Sequence, residues 1–84
     1  MPRYYLHLYN CLGDVRDDEG EELSALEDAR DCAFQAIRDI LSEEVRQGRI
    51  DLRGRIEIAD AGKRVVEIVP FSDAVEILAG RPES

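Results

Sequence analysis

The fold of this chain is decided by the stretch from Ser24 to Gly48, which reads SALEDARDCAFQAIRDILSEEVRQG. Its apolar residues recur at intervals of three or four, the spacing that places side chains on one face of an α-helix. This face consists of Leu26, Ala29, Ala33, Ile37, Ile40, Leu41 and Val45. We therefore predict one long amphipathic helix, whose apolar face must be covered by another layer of the domain.

Both ends of the predicted helix carry boundary signals. Ser24 and Glu27 have the spacing of a capping box, in which each side chain accepts a hydrogen bond from the backbone N–H of the other residue. Gly48 is typical of the residue that ends a helix with a positive φ. The charges of Asp28 near the start and Arg46 near the end agree with the helix dipole.

A strand pattern precedes the helix. Residues 4–9 alternate between two faces, as the residues of a half-buried β-strand do. The side chains expected to face the helix are Tyr4, Leu6 and Leu8. The opposite face then carries Tyr5, His7 and Tyr9. A turn at 10–14, with Gly13 at positive φ, leads to a short return strand at 15–17 and to an acidic connection at 18–22.

Two further strands are predicted after the helix, at 55–60 and 64–69, with a hairpin turn at 60–63 between them. Gly54 falls on the apolar side of this region, where it would leave a gap or mark a bulge. The second strand carries valine and isoleucine on both faces. That composition favours a position inside the sheet over an exposed edge.

The last segment predicts a short helix. Pro70 ends the strand before it, and Ser72 and Asp73 are suited to cap a helix that reaches Leu78. The element order is therefore β-β-α-β-β-α. We predict a single α+β domain over residues 1–84, in which a three- to four-stranded, mainly antiparallel sheet carries the long helix on one face.

The composition limits the possible function classes. The chain has 84 residues, of which 44% are hydrophobic, and a formal net charge of −8. Nucleic acid is not the expected partner, because binding it depends on phosphate neutralisation by Lys and Arg. No signal peptide is recognisable and no apolar run is long enough to span a bilayer, so we expect a cytoplasmic protein that does not bind membranes.

The sequence carries no signature of catalysis or metal binding. Cys11 and Cys32 lack the spacing of a disulfide framework or a metal site, and we expect both to be reduced. The acidic residues between Asp14 and Glu22 lack the spacing of an EF-hand loop and fit a solvated run before a helix. No Gly-rich phosphate loop or nucleophile motif occurs. We expect no enzymatic activity, no metal and no cofactor.

The candidate binding residues are Tyr5, His7 and Tyr9. Aromatic side chains are enriched at protein interfaces, so this face favours a protein-interaction or regulatory module that binds another protein or a second copy of itself. The alternative is a small ligand or a nucleic acid, with His7 as a polar anchor and bases stacked on the tyrosines. A third interpretation is purely structural, because strands favour aromatic residues at half-buried positions.

Three segments of the chain carry a resemblance to known proteins. They are MPRYYLH at 1–7, DEGEEL at 18–23 before the LEDAR helix start, and VPFSDAV at 69–75. In these segments the chain resembles a family of short bacterial proteins that is defined as a domain of unknown function. The resemblance implies a bacterial cytoplasmic origin and no activity. In element order alone the chain resembles the HicB-like antitoxin domain, which usually adds a DNA-binding segment for which this chain has no room.

Overall fold

The computed structural model describes residues 2–80 and consists of two layers, an antiparallel sheet and one long helix. The strands are β1 (Arg3–Asn10), β2 (Gly13–Val15), β3 (Glu21–Glu22), β4 (Arg55–Ala59) and β5 (Val65–Pro70). The helices are α1 (Leu26–Arg46) and a 3₁₀ helix (Phe71–Ala74). The predicted α+β class, with the long helix on one face of the sheet, is confirmed.

The strand β1 lies at the centre of the sheet. The order is β2-β1-β4-β5, and β3 also pairs with β1. β2 pairs with residues 8–10 of β1, and β3 pairs with residues 3 and 4. Because the hydrogen bonds of an antiparallel strand alternate between its two edges, β2 and β3 share one edge of β1 and leave a gap at Leu6. The sequence predicted β2 two residues too late and did not predict β3.

Small side chains allow α1 to lie close to the sheet. Ala29 and Ala33 are completely buried, and Ile37 and Leu41 continue the buried row toward the end of the helix. Close approach of this kind increases the number of van der Waals contacts that each buried side chain makes. The predicted apolar face is therefore correct over most of its length, whereas Val45 in the last turn is exposed.

The C-terminal end of α1 is marked by Gly48 at positive φ, as predicted, and its hydrogen bonds form a Schellman motif. Gly48 has a φ of 88°, and its N–H donates to the carbonyl of Val45 at 2.9 Å. The N–H of Arg49 donates to the carbonyl of Glu44 at 3.1 Å. These two bonds satisfy carbonyls that the end of a helix leaves without intrahelical partners.

The N-terminal end of α1 differs from the prediction. Ala25 is the N-cap residue, and it provides no side-chain capping bond. The hydroxyl of Ser24 donates instead to the carboxylate of Asp28. The predicted capping box of Ser24 and Glu27 is wrong, because the helix begins one residue later than that box requires.

Phe71 closes the core from the C-terminal side. Its ring is 1% exposed and lies against Gly54, where an added Cβ would be 2.7 Å from Cζ of Phe71. The predicted gap at Gly54 is thus filled by an aromatic ring. The 3₁₀ helix that begins at Phe71 is held under α1 by Arg38, whose Nε donates to the carbonyl of Ala74 at 2.7 Å.

The short C-terminal helix is present, but it ends earlier than predicted. Val75 has extended backbone angles, and no helix continues from it to residue 80. The expected extension to Leu78 is wrong, because Phe71 and Ala74 are drawn into the core and Arg38 takes up the last carbonyl of the 3₁₀ helix. Leu78 is instead exposed.

Within residues 2–80 the strand β5 is an edge strand. It pairs with β4, and it is the last strand in the sheet order. The prediction of an interior position is wrong, because apolar residues on both faces of a strand do not determine whether a further strand is present beside it. Arg30 of α1 binds both carboxylate oxygens of Glu67, and this ion pair attaches β5 to the helix.

Candidate functional site

The face of the sheet opposite α1 has no covering layer among residues 2–80. The side chains of Tyr4, Leu6 and Leu8 pack against the core, as predicted. Since side chains alternate along a strand, Tyr5, His7 and Tyr9 lie on the uncovered face. The structure therefore brings the three candidate residues together on one face.

A cleft crosses this uncovered face. It has a volume of about 390 Å³, and Tyr5, His7 and Ala59 contribute to its lining. The loop after β2 borders it on one side at Arg16, and the hairpin between β4 and β5 borders it on the other at Lys63. The three candidate residues therefore line a cleft between two loops and do not form a flat aromatic surface.

His7 is buried in this cleft and is held in one orientation. The side chain is 9% exposed, and its Nδ1 accepts a hydrogen bond from the N–H of Asp17 at 3.0 Å. Because Nδ1 accepts, the neutral ring carries its proton on Nε2. Within residues 2–80 the ring makes no other hydrogen bond, so the Nε2–H group is available to a bound molecule.

Asp17 fills the gap between β2 and β3. One carboxylate oxygen accepts from the N–H of Leu6 at 3.1 Å, and the other accepts from Glu19 at 3.2 Å and from Gly20 at 2.9 Å. Burial raises the pKa of Asp17, but the three backbone bonds and the nearby His7 outweigh it and hold this pKa below the ordinary value. A side chain thus replaces the missing strand at this edge, and the same residue orients His7.

The role of Asp17 was not predicted from the sequence. The sequence did contain a local signal, an aspartate followed three residues later by glycine. Asp17 accepts hydrogen bonds from the backbone two and three residues later, which forms an Asx-type turn, and Gly20 has the positive φ of 70°. What the sequence could not reveal is the bond to Leu6. That bond depends on the loop lying against β1.

The charges around the cleft are of both signs. Arg16 and Lys63 are opposed by acidic groups on the same walls, including Asp18. Glu57 lies directly across from His7 in the β1–β4 register, and its carboxylate accepts a hydrogen bond from Arg55 at 2.8 Å. Mixed charges favour recognition of a polar or zwitterionic group over recognition of a polyanion.

One face of the Tyr9 ring is covered by an arginine. The guanidinium of Arg55 lies 4.5 Å from the centre of the Tyr9 ring, a cation–π contact that covers one face of the ring. No serine, threonine or cysteine is among the described residues that line the cleft. The cleft is lined by groups suited to binding, which are the Nε2–H of His7, aromatic rings and charges of both signs.

Cys11 lies outside this cleft, in a separate polar cluster. Its thiol donates to the carboxylate of Asp51 at 3.0 Å, and that carboxylate also binds Arg53 at 2.8 and 2.9 Å. The bond to Asp51 raises the pKa of the Cys11 thiol, which lowers the fraction of reactive thiolate. Both cysteines are free, as predicted, and the cluster was missed because Asp51 is forty residues from Cys11 in the chain.

The free edge of β5 is the second unusual surface. Val65, Val66 and Ile68 are 45%, 39% and 53% exposed. Val65 also lines the cleft, so the apolar edge and the cleft are continuous. Edge strands are normally protected by charge, proline or a covering element, since they otherwise pair with other chains.

Residues 2–80 contain neither a candidate metal site nor a candidate membrane span. No group of three His, Cys, Asp or Glu side chains is placed to hold a metal ion. No helix in the described part of the chain has the length and apolar character needed to cross a membrane.

Comparison with known proteins identifies the family. No significant match was found among curated proteins or among solved structures. The comparisons do not show the expected likeness to HicB-like antitoxin domains. One family model matches residues 3–72, which include every strand and the long helix. The chain therefore belongs to the family described as domain of unknown function DUF6894.

Proposed function

We propose that this protein is a non-enzymatic interaction module of the cytoplasm that binds another protein chain through the uncovered side of its sheet. The observation that carries the proposal is the continuous surface formed by the cleft around His7 and the apolar edge of β5. A surface with aromatic and aliphatic groups surrounded by charge has the usual anatomy of a protein interface.

The rigidity of this surface supports the proposal. Asp17 fixes both the loop beside the cleft and the orientation of His7. Arg30 fixes β5 against the helix through Glu67. A surface that is ordered before binding loses less conformational entropy when a partner binds.

The test is capture of partners by tagged protein, with a matched pair of variants. Val65→Lys places a charge where the cleft meets the β5 edge, whereas Leu12→Lys makes the same kind of change at a residue that is 83% exposed in the turn after β1. We expect Val65→Lys to lose the bound protein and Leu12→Lys to retain it. Equal binding by both variants would refute the proposed surface.

A second candidate function is supported by one observation, the unpartnered Nε2–H of His7 in a cleft of about 390 Å³. This volume lies in the range of small-molecule sites. In this alternative Tyr5, His7 and Tyr9 bind a small polar ligand or a nucleotide. Titration with nucleotides, amino acids and short oligonucleotides should then shift the NMR signals of these three residues. An unchanged spectrum across that panel would count against the alternative.

A further inference from the structure

We propose that the partner of the β5 edge is a second copy of this chain, joined antiparallel with Ile68 opposite Ile68 of the other copy. This inference rests on the proposed interaction function and names the partner, the strand and the register. The result would be one continuous sheet across two protomers, with a two-fold axis between the two β5 strands.

The direction of the backbone groups supports pairing at Ile68. The N–H of Phe71 donates to the carbonyl of Gly54 at 3.0 Å, directly beyond the pair formed by Arg55 and Pro70. Hydrogen bonds of an antiparallel strand alternate between its edges. The backbone groups of Ile68 and Pro70 therefore point to the free edge.

These groups are complementary to those of a second copy. With the axis at Ile68, each Ile68 N–H meets the Ile68 carbonyl of the other protomer, so that both donors and both acceptors are paired. Pro70 has no N–H, and in this register its carbonyl faces the segment around Val66 of the partner. An axis at Pro70 would leave each Pro70 carbonyl facing a proline nitrogen that has no hydrogen to donate.

The neighbouring register is disfavoured by charge. An axis at Glu67 would place the two Glu67 residues directly opposite each other, and like charges opposite each other destabilise a strand pair. With the axis at Ile68, Glu67 lies opposite Val69, and its carboxylate stays paired with Arg30 of its own helix.

The apolar character of the edge completes the argument. Val66 and Ile68 are exposed, and Glu67, which lies between them, is the one charged residue of β5. A single strand pair buries less area than the roughly 1,200–2,000 Å² of a stable interface, so we expect reversible association that depends on concentration. Burial of apolar side chains at the edge is the favourable contribution that a charged substitution would remove.

Analytical ultracentrifugation from micromolar to millimolar concentration tests this proposal. Wild type should shift from monomer to dimer, Ile68→Asp should remain monomeric, and Leu12→Asp, the same change at an exposed residue away from the edge, should behave like wild type. Circular dichroism confirms that both variants are folded. A wild type that stays monomeric, or an Ile68→Asp variant that still dimerises, would overturn the proposal.

Cross-linking tests the register and does not require an acidic substitution. In a chain whose native cysteines are replaced by Ser at 11 and Ala at 32, Ile68→Cys should form an intermolecular disulfide on mild oxidation, because directly opposed residues have Cα atoms about 5.5 Å apart. Leu12→Cys in the same background should not. If Ile68→Cys forms no disulfide above the Leu12→Cys control, this register is wrong.

The two proposals fail in different ways. The dimer is refuted, and the interaction function is retained, if wild type is monomeric at every concentration but captures another protein. The Val65→Lys variant should then fail to capture that protein. A dimer that forms as described but captures nothing would leave self-association as the function of the edge.

Discussion

Replacing Asp17 by alanine should destabilise the whole domain, although the residue lies in a loop. The substitution removes the acceptor for the N–H groups of Leu6, Glu19 and Gly20. Hydrogen bonds to charged groups contribute about 1.5–3 kcal/mol each, and water will replace part of the three bonds because Asp17 is only half-buried. We therefore expect a loss of about 2–3 kcal/mol in the free energy of unfolding.

Urea and thermal unfolding measure this loss. For a domain of this size each kcal/mol lowers Tm by about 4–8 °C, so the expected decrease is about 8–24 °C. Asp18→Ala is the control, because it removes the same charge from the adjacent, exposed position. If Asp17→Ala and Asp18→Ala unfold within about 0.5 kcal/mol of each other, the value expected for ordinary surface changes, the assigned role of Asp17 is wrong.

The same bonds predict a pH dependence. Because the folded-state pKa of Asp17 is depressed, its contribution is complete above the unfolded-state pKa of about 3.9 and is lost as the pH falls through the lower folded-state value. The difference in stability between wild type and Asp17→Asn should therefore be constant above about pH 5 and should shrink below about pH 4. A difference that grows on acidification would contradict this reasoning.

Three further predictions concern the core and the thiol. Ile37→Ala should lower the free energy of unfolding in urea by about 2–5 kcal/mol, because truncating a fully buried side chain leaves a cavity against the sheet. A loss below about 1 kcal/mol would refute the place of Ile37 in the core. Gly54→Ala should lower the free energy of unfolding by about 1–3 kcal/mol, because the new methyl group meets the ring of Phe71. Phe71→Leu should then lower the free energy of unfolding by less in the Gly54→Ala variant than in wild type. Cys11 should react slowly with iodoacetamide at neutral pH, and Asp51→Asn should accelerate the reaction by lowering the raised thiol pKa. An equal alkylation rate, followed by mass spectrometry, would exclude control by Asp51.

The sequence predicted those features that depend on local periodicity. The spacing of apolar residues located α1, and the alternation along β1 correctly separated Leu6 on the core side from His7 on the other. Gly48 correctly marked the end of the helix, because a positive φ at that position strongly favours glycine. Each of these signals acts over a few residues.

The features that were missed depend on contacts between distant parts of the chain. The exposure of Ile68 depends on the absence of a covering layer on its face of the sheet, and periodicity within β5 does not report that. The bond from Leu6 to Asp17 and the cluster of Cys11 with Asp51 arise only when loops are brought together by the sheet. The tyrosine–histidine face was predicted, but the loops that turn it into a cleft were not.

The position of β1 has a consequence for the order of folding. Its edge toward β2 is completed by residues that follow directly in the chain, so this hairpin can form soon after the N-terminal segment is synthesised. Its other edge requires β4, which follows the whole of α1; Tyr5, for example, pairs with Ala59. The central strand must therefore remain half-paired, and α1 must lack most of its sheet, until the ribosome has released β4. Pairings between such distant segments slow folding, because the entropy of closing a long loop is lost before the contacts that stabilise the sheet can form.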